Sequence, residues 1–222
     1  MRVYKLLKST IDYFLRSWKL NELFTDMSRN EIKGLLKEAD VARNELIKSL
    51  APQNKTIIRR LDTTIIYTII RALKPEIVVE TGVSNGCSTY FILKALEQSK
   101  KGFLYSIDLP LDVSSALIPL GRDIGWLVPE RLRHRWKLLL GDAKEMLPQL
   151  LSNLHEIDIF LHDSDHSYEH MIFEFKTAWK YLRKGGILFA HDIDQNKAFE
   201  NFIREMKVSY SATFGILGVL RK

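Results

Sequence analysis

The sequence predicts an α/β fold, a doubly wound, mainly parallel seven-stranded sheet with an α-helical N-terminal extension. Three observations predict it. From Lys74 onward, short apolar runs alternate with longer amphipathic stretches, and such alternation implies right-handed crossovers and a sheet covered on both faces. Acids stand at or beside the ends of these runs, at Glu80, Asp108, Asp142, Asp163 and Asp192. Sheets of this kind bind ligands beyond the carboxyl ends of their strands, so acids aligned there read as a site. Before Lys74 the apolar spacing is helical throughout.

Each element follows from its pattern. Residues 3–24 place Val3, Leu7, Ile11, Phe14, Leu15 and Trp18 on one helical face, flanked by Lys5, Lys8, Arg16 and Lys19. This reads as a helix packed on the domain or on a second subunit, which makes a homodimer an expectation. A basic helix in peripheral contact with a membrane is the other reading. Helices are expected over 29–50 and 56–73, punctuated by Pro52 and Pro75. The extension is therefore assigned to 1–55 and the main domain to 56–222. "EIVVETG", "GFLYSIDLP", "WKLLLGDA", "IDIFLHDSD" and "GGILFAHDI" read as buried strands. Helices are expected between and after them at 87–99, 143–153, 167–184 and 196–206. The tail "SYSATFGILGVLRK" reads as two final strands.

Composition narrows the class. The 222 residues, 46% hydrophobic and 27% charged, suffice for one substantial core. The single cysteine, Cys87, excludes an intrachain disulfide and fits a reducing compartment. It reads as a small packing residue. No run of about 18 apolar residues and no signal-peptide pattern occur, so a cytoplasmic location is expected. The net charge of +6 raises the prospect of anionic partners, but the basic residues are dispersed. The densest cluster, Arg131 to Lys137, reads as a solvated helix end, with an anion contact as the alternative.

The turn "ETGVSNGCST" after the first strand carries the argument about the ligand. Gly82 and Gly86 permit positive φ and close backbone approach. The turn lacks both the G-x-G-x-x-G of dinucleotide sites and the G-x-x-x-x-G-K-[ST] of phosphate loops. Glu80, just before it, would repel a phosphate and suit a ligand with a positive centre or hydroxyl and amino donors.

The run E-x-G-x-x-x-G-x-S from Glu80 to Ser88 resembles motif I of class I S-adenosylmethionine-dependent methyltransferases. "LYSIDLP" resembles their second motif, whose strand-end acid, here Asp108, binds the ribose hydroxyls. "RHRWKLLLGDAKEMLPQL" is similar to the segment beside the adenine, here Asp142 and Ala143. Residues 157–193 resemble the small-molecule and sugar O-methyltransferase branch, of the macrocin-type and cephalosporin-hydroxylase-like kind. The likeness spans roughly residues 60–222. It implies S-adenosylmethionine held by Glu80, Gly82, Val83, Ser84, Gly86, Ser88, Thr89, Asp108, Asp142 and Ala143, and a small-molecule or sugar acceptor. Taken singly, the glycines could simply join strand to helix, and Asp142 could be a helix N-cap.

The same resemblance implies a second site. In the branch, the equivalents of Asp163, His191 and Asp192 are usually carboxylates that ligate a magnesium-like ion. Histidine at 191 departs from this. Magnesium prefers oxygen, so the histidine weakens the site, shifts it toward another divalent ion, or removes it. His166 matches the proposed general base and, with Asp163, forms the expected catalytic pair; an imidazole titrates near neutrality. Asp165 and Tyr168 are candidate pocket residues. His162 should face away from Asp163 and be structural, and His170 should lie at the surface. The connection 110–130, with Trp126, is either a lid over the cofactor or ordinary indole packing.

A zinc hydrolase of the H-x-H-x-D-H kind fails because Leu161 and Asp163 stand at the two leading histidine positions. A nucleic-acid methyltransferase is disfavoured because "DSDHSY" lacks the N/D-P-P-Y/F run of exocyclic-amine enzymes, and Cys87 is misplaced for carbon-5 chemistry. A non-catalytic member of the same fold is kept open by His191.

Overall fold

The computed structural model describes residues 17–50, 62–111, 118–208 and 210–222. The apolar face expected at Val3 to Leu15, the boundary at residue 55, the start of the 56–73 helix and part of the 110–130 connection lie outside these residues.

Residues 17–23 are helical, and α1 spans Arg29–Ser49. Ser28 opens α1 with a capping box: its hydroxyl accepts from the Glu31 amide at 3.2 Å, and its own amide donates to the Glu31 carboxylate at 2.7 Å. The helix α2 (Asp62–Leu73) precedes β1 (Ile77–Thr81), α3 (Cys87–Ser99) and β2 (Phe103–Asp108). A 3-10 turn, Glu130–Arg135, leads into β3 (Trp136–Leu140) and α4 (Ala143–Leu154). Then come β4 (Ile157–His162), α5 (Tyr168–Tyr181), β5 (Leu182–Ala190), α6 (Ala198–Met206), β6 (Tyr210–Phe214) and β7 (Leu217–Arg221).

The strands form one seven-stranded sheet in the order β3-β2-β1-β4-β5-β7-β6. Strands β1 to β5 are parallel, whereas β7 runs antiparallel to both β5 and β6. The order reverses between β1 and β4, which is where ligand crevices form in open sheets. Among the described residues the expected elements are present, with one shift. The helix expected to run to 184 ends at Tyr181 and passes directly into β5, where Leu182 pairs with Ile157. A register irregularity before the Ile159–Ile187 pair absorbs the extra residues.

Alternation along the strands divides the core. Val78, Leu104, Ile159, Leu161, Ile187, Phe189 and Val219 face α1, α2 and α3. Val79, Ile107, Phe160, Leu188, Ala190 and Leu220 face α4, α5 and α6. The described part of the N-terminal extension belongs to the first cluster: Leu20, Leu23, Leu36, Ala42 and Leu46 are buried in it, and the Tyr90 hydroxyl donates to the Ala42 carbonyl at 3.2 Å. No helix among the described residues is long and apolar enough to cross a membrane.

Candidate functional site

The alternation that divides the core also fixes which way the end of β1 points. Glu80 shares the face of Val78, toward α3, and stands in register with Ser106 of β2. Its carboxylate accepts from Ser88 Oγ at 2.6 Å, Thr89 Oγ1 at 2.8 Å and Ser106 Oγ at 2.8 Å. The residue is fully buried. Burial pushes its carboxyl up to about 7, against the pull of the three hydroxyls. This corrects the expectation that Glu80 greets the ligand. Together with Ser88 and Thr89 it braces the turn from beneath, and both its oxygens are committed to hydroxyls.

The glycines are required by backbone neighbours. Gly82 has φ +82, and a Cβ there would lie 2.0 Å from the Asp163 carbonyl oxygen. Gly86 has φ +85, and its Cβ would meet the Gly125 Cα at 2.7 Å. Between them, the Val83 and Ser84 amides donate to Asp108 Oδ2 at 3.0 and 2.7 Å, and the Leu109 amide donates to Oδ1 at 2.8 Å. Asp108 thus pins the turn to the end of β2. The following connection clasps the same turn. The Gly125 and Leu127 amides donate to the Ser84 and Asn85 carbonyls, and Trp126 Nε1 donates to Asn85 Oδ1 at 2.7 Å. Trp126 packs with Val83, Ile118 and Ile124.

Two adjoining lobes of a cleft meet over the turn. One, of about 430 Å³, is lined by Gly82, Ser84, Asp108, Asp142, Ala143 and Asp163 among others. The second, of about 600 Å³, is lined by Asp62, Val83, Ser88, His166, His191 and Asp192 among others. Gly82, Ser84, Asp163 and Ser164 line both. Asp142 caps α4, accepting from the Lys144 amide at 2.8 Å, while lining the first lobe. The Arg131 cluster is engaged elsewhere: Arg131 pairs with Glu97, and Arg133 lies over the Trp136 ring.

The far end of the second lobe gathers Asp163, His166, His191 and Asp192, with one ligand-capable atom from each within 4.8 Å of the others. His191 Nδ1 lies 3.1 Å from Asp163 Oδ1 and 3.2 Å from Asp192 Oδ1. His191 Nε2 lies 3.1 Å from Asp62 Oδ2, a partner that nothing in the sequence pattern singled out. Burial opposes the charge of His191, but hydrogen bonds to Asp163 and Asp62 outweigh it and push the imidazole up to about 10. His166 Nε2 lies 3.4 Å from Asp192 Oδ2 and 3.9 Å from Asp163 Oδ1, while its Nδ1 is buried without a partner. Burial and the neighbouring His162 lower its affinity for a proton. The two carboxylates and the imidazole form a cluster able to hold a divalent cation, with the nitrogen a softer donor than the oxygens magnesium favours.

Behind this corner lies a second polar network. His162 is buried on the face opposite Asp163, as expected, and bonds to Glu174. His170, expected at the surface, is buried, because Glu174 accepts from its Nε2 at 2.8 Å. The usable signal was the i,i+4 spacing of His170 and Glu174, with an acid set among apolar residues. Asp165 lines the first lobe, and its carboxylate accepts from the Ser167 amide. Tyr168 is exposed, its hydroxyl accepting from Asn201.

The strand order, with its antiparallel edge hairpin and a cleft at the β1/β4 switch, defines the fold of class I S-adenosylmethionine-dependent methyltransferases. Residues 79–193, just over half of the chain, match the family model described as a methyltransferase domain, and the chain belongs to that family. No curated protein sequence matches it significantly. Among solved structures it is similar to the SAH-bound Podospora anserina methyltransferase PaMTH1, at 15% identity and TM-score 0.56, over 82% of this chain and 87% of that one. It is similar also to the Bacillus cereus O-methyltransferase in complex with SAH, at 14% identity and TM-score 0.53, over 88% and 92% of the two chains. A third is MycE, a methyltransferase of the mycinamycin biosynthetic pathway, in complex with Mg and SAH. There the identity is 15% and the TM-score 0.51, over 71% of this chain and 47% of that one. At these identities the likeness is one of fold.

Proposed function

We propose that the protein transfers a methyl group from S-adenosylmethionine to a hydroxyl of a small molecule, with sugars among the candidate acceptors. The observation that carries this reading is the meeting of two lobes over Gly82, Ser84, Asp163 and Ser164. One lobe has a carboxylate, Asp108, at the end of β2, and the other has His166 between two carboxylates. The SAH-bound state of the similar structures supports the cofactor.

The bound cofactor supplies a methyl group activated by its sulfonium. In this reading Gly82, Val83, Ser84, Gly86, Asp108, Asp142 and Ala143 hold its nucleoside and amino-acid parts. Asp108 already carries three backbone hydrogen bonds, and a carboxylate has about four acceptor sites. It can therefore take one ribose hydroxyl as it stands and two only by releasing a turn amide. Asp163 and His166 orient the acceptor. With the cofactor bound, His166 Nε2 would take the hydroxyl proton as the acceptor oxygen attacked the methyl carbon, the carbon–sulfur electron pair passing to sulfur. Alignment and proton removal are what such a displacement asks of a protein.

Calorimetric titration with S-adenosylmethionine and S-adenosylhomocysteine tests the cofactor, and a labelled-methyl screen of sugar and phenolic acceptors tests the reaction. Asp108→Ala is expected to weaken cofactor binding by about 1–3 kcal/mol. An unchanged affinity argues against the ribose role, and cofactor binding without turnover on any acceptor favours a non-catalytic member of the fold.

A further inference from the structure

We infer that His162 is a positioning residue for the cleft: from the end of β4 it sets the His166 ring in the tautomer that carries hydrogen on Nδ1 and turns a bare Nε2 toward the second lobe. The inference deepens the proposed function and rests on its reading of His166 as the proton acceptor. Two orphaned atoms carry it. His162 Nε2 and His166 Nδ1 are both buried, and neither has a hydrogen-bond partner among the described residues. The two rings are neighbours, with centroids 5.3 Å apart and planes at 84°. Buried polar atoms are ordinarily paired, so two left over on adjacent rings belong to each other, in direct contact or through one buried water. Both rings are held. His162 is fully buried and packs edge-on against Phe175 at 5.4 Å, and the His166 carbonyl accepts from Asn196 Nδ2 at 2.8 Å.

Glu174 sets the direction of that link. Its carboxyl is held down at about 2, so it is an ionised acceptor, and His162 Nδ1, 2.6 Å from Oε2, is the donor. In the neutral ring this leaves Nε2 as a lone pair in want of a donor. His166 supplies one only with its hydrogen on Nδ1. The carboxylates in the cleft pull the other way, since Asp192 Oδ2 lies 3.4 Å and Asp163 Oδ1 3.9 Å from His166 Nε2. Those distances are long for hydrogen bonds. Hydrogen on Nε2 would also strand two lone pairs in the interior, each at its full desolvation penalty. Hydrogen on Nδ1 satisfies the interior pair and leaves the bare nitrogen on the side of the ring nearest Asp192 and Asp163.

The tautomer is read without turnover. The full chain is labelled with nitrogen-15 histidine, and correlations between ring hydrogens and nitrogens are recorded at about pH 8, above the ordinary imidazole range. They show which nitrogen carries hydrogen in each of the six histidines, and His166→Gln identifies the His166 signals. Wild type is expected to carry hydrogen on His166 Nδ1. His162→Phe keeps a ring but no acceptor. It is expected to move the tautomer ratio toward Nε2–H by about 10- to 100-fold, the range that one stranded buried group spans. On the acceptor found by the labelled-methyl screen, kcat should fall by a similar factor, with KM and S-adenosylmethionine affinity at the wild-type level. His162→Gln keeps an oxygen acceptor and should recover part of both. Thermal melts show which variants fold, and the wild-type spectrum decides by itself if His162→Phe does not. Hydrogen on Nε2 in the wild type, an unaltered His166 tautomer in folded His162→Phe, or wild-type kcat in that variant overturns the inference. Hydrogen on Nδ1 with the expected shift, in a protein that methylates no acceptor, overturns the proposed function and leaves the hold of His162 on the ring standing.

Discussion

His162 on β4 and Glu174 on α5 meet with Nδ1 2.6 Å from Oε2, both side chains fully buried. The same carboxylate accepts from Thr81 Oγ1 at 2.6 Å, Ser164 Oγ at 2.9 Å and His170 Nε2 at 2.8 Å. One glutamate thus ties β1, β4 and α5 to the loop that starts at Asp163. Burial alone would raise its carboxyl, but the hydrogen bonds from His162 and His170 prevail and hold it down at about 2. The loop that presents Asp163 and His166 to the cleft stands on this network.

Glu174→Ala is expected to lower stability by about 3–5 kcal/mol, because it strands two buried imidazoles and two hydroxyls. Urea denaturation measures it. The pH dependence has a definite sign. A carboxyl held below its unfolded value stabilises fully above about pH 4.5, and that contribution is lost as pH falls toward about 2. The gap between wild type and Glu174→Gln should therefore close over this window. A gap that stays constant down to pH 2 contradicts the role given to Glu174.

Glu80 predicts the opposite trend. Its carboxyl is raised by burial from 4.5 to about 7. The stabilisation carried by the neutral form is complete below about pH 4.5 and is lost as pH rises through 7. Wild type should lose up to about 1.4 kcal/mol per pH unit from this group between those values. Glu80→Gln stays neutral and should remove that slope, gaining on wild type toward pH 8. Parallel stability curves for the two proteins would count against the buried acid.

How far the sequence reaches is visible at these same residues. Strand alternation with helices gave the sheet, and the acids at the strand ends gave the crevice. Period two places Val78 and Glu80 on one face and Thr81 on the other, yet it does not say that Ser106 stands in register with Glu80. That pairing depends on β1–β2 register, a tertiary fact, and it decides whether the acid meets a ligand or a set of hydroxyls. Asp62 was illegible for the same reason: it reaches His191 across 129 positions. His170 was misplaced because a helix-face histidine is buried only if an acid meets it, and Glu174 does.

Gly82→Ala tests the turn. A Cβ at 2.0 Å from the Asp163 carbonyl oxygen forces β1 and β4 apart at the switch point. The left-handed backbone adds about 1–2 kcal/mol of strain for a residue with a side chain. The variant should lose more than that strain alone in chemical denaturation, and its cofactor affinity should fall with it. Gly34→Ala, at a helical glycine with open space around it, should be neutral or stabilising and serves as the control. Equal stability of the two variants would show that the turn relaxes freely.

His166 is where positioning and proton transfer separate. Its Nε2 sits 3.4 Å from Asp192 Oδ2 and 3.9 Å from Asp163 Oδ1, on the wall of the second lobe. His166→Ala removes both the contact and the base, and His166→Gln keeps an amide able to hydrogen-bond but unable to accept a proton at neutral pH. If His166 takes the acceptor proton, both variants lose about 10²- to 10⁴-fold in kcat on the acceptor found by the labelled-methyl screen. Their affinity for S-adenosylmethionine should stay at the wild-type level by calorimetry, because none of the proposed cofactor contacts is touched. If His166 only positions the acceptor, the glutamine variant recovers most of the rate and the alanine variant loses KM more than kcat. Recovery in the glutamine variant would therefore transfer the proton to another group, such as Asp163 or Asp192, 3.9 and 3.4 Å from His166 Nε2.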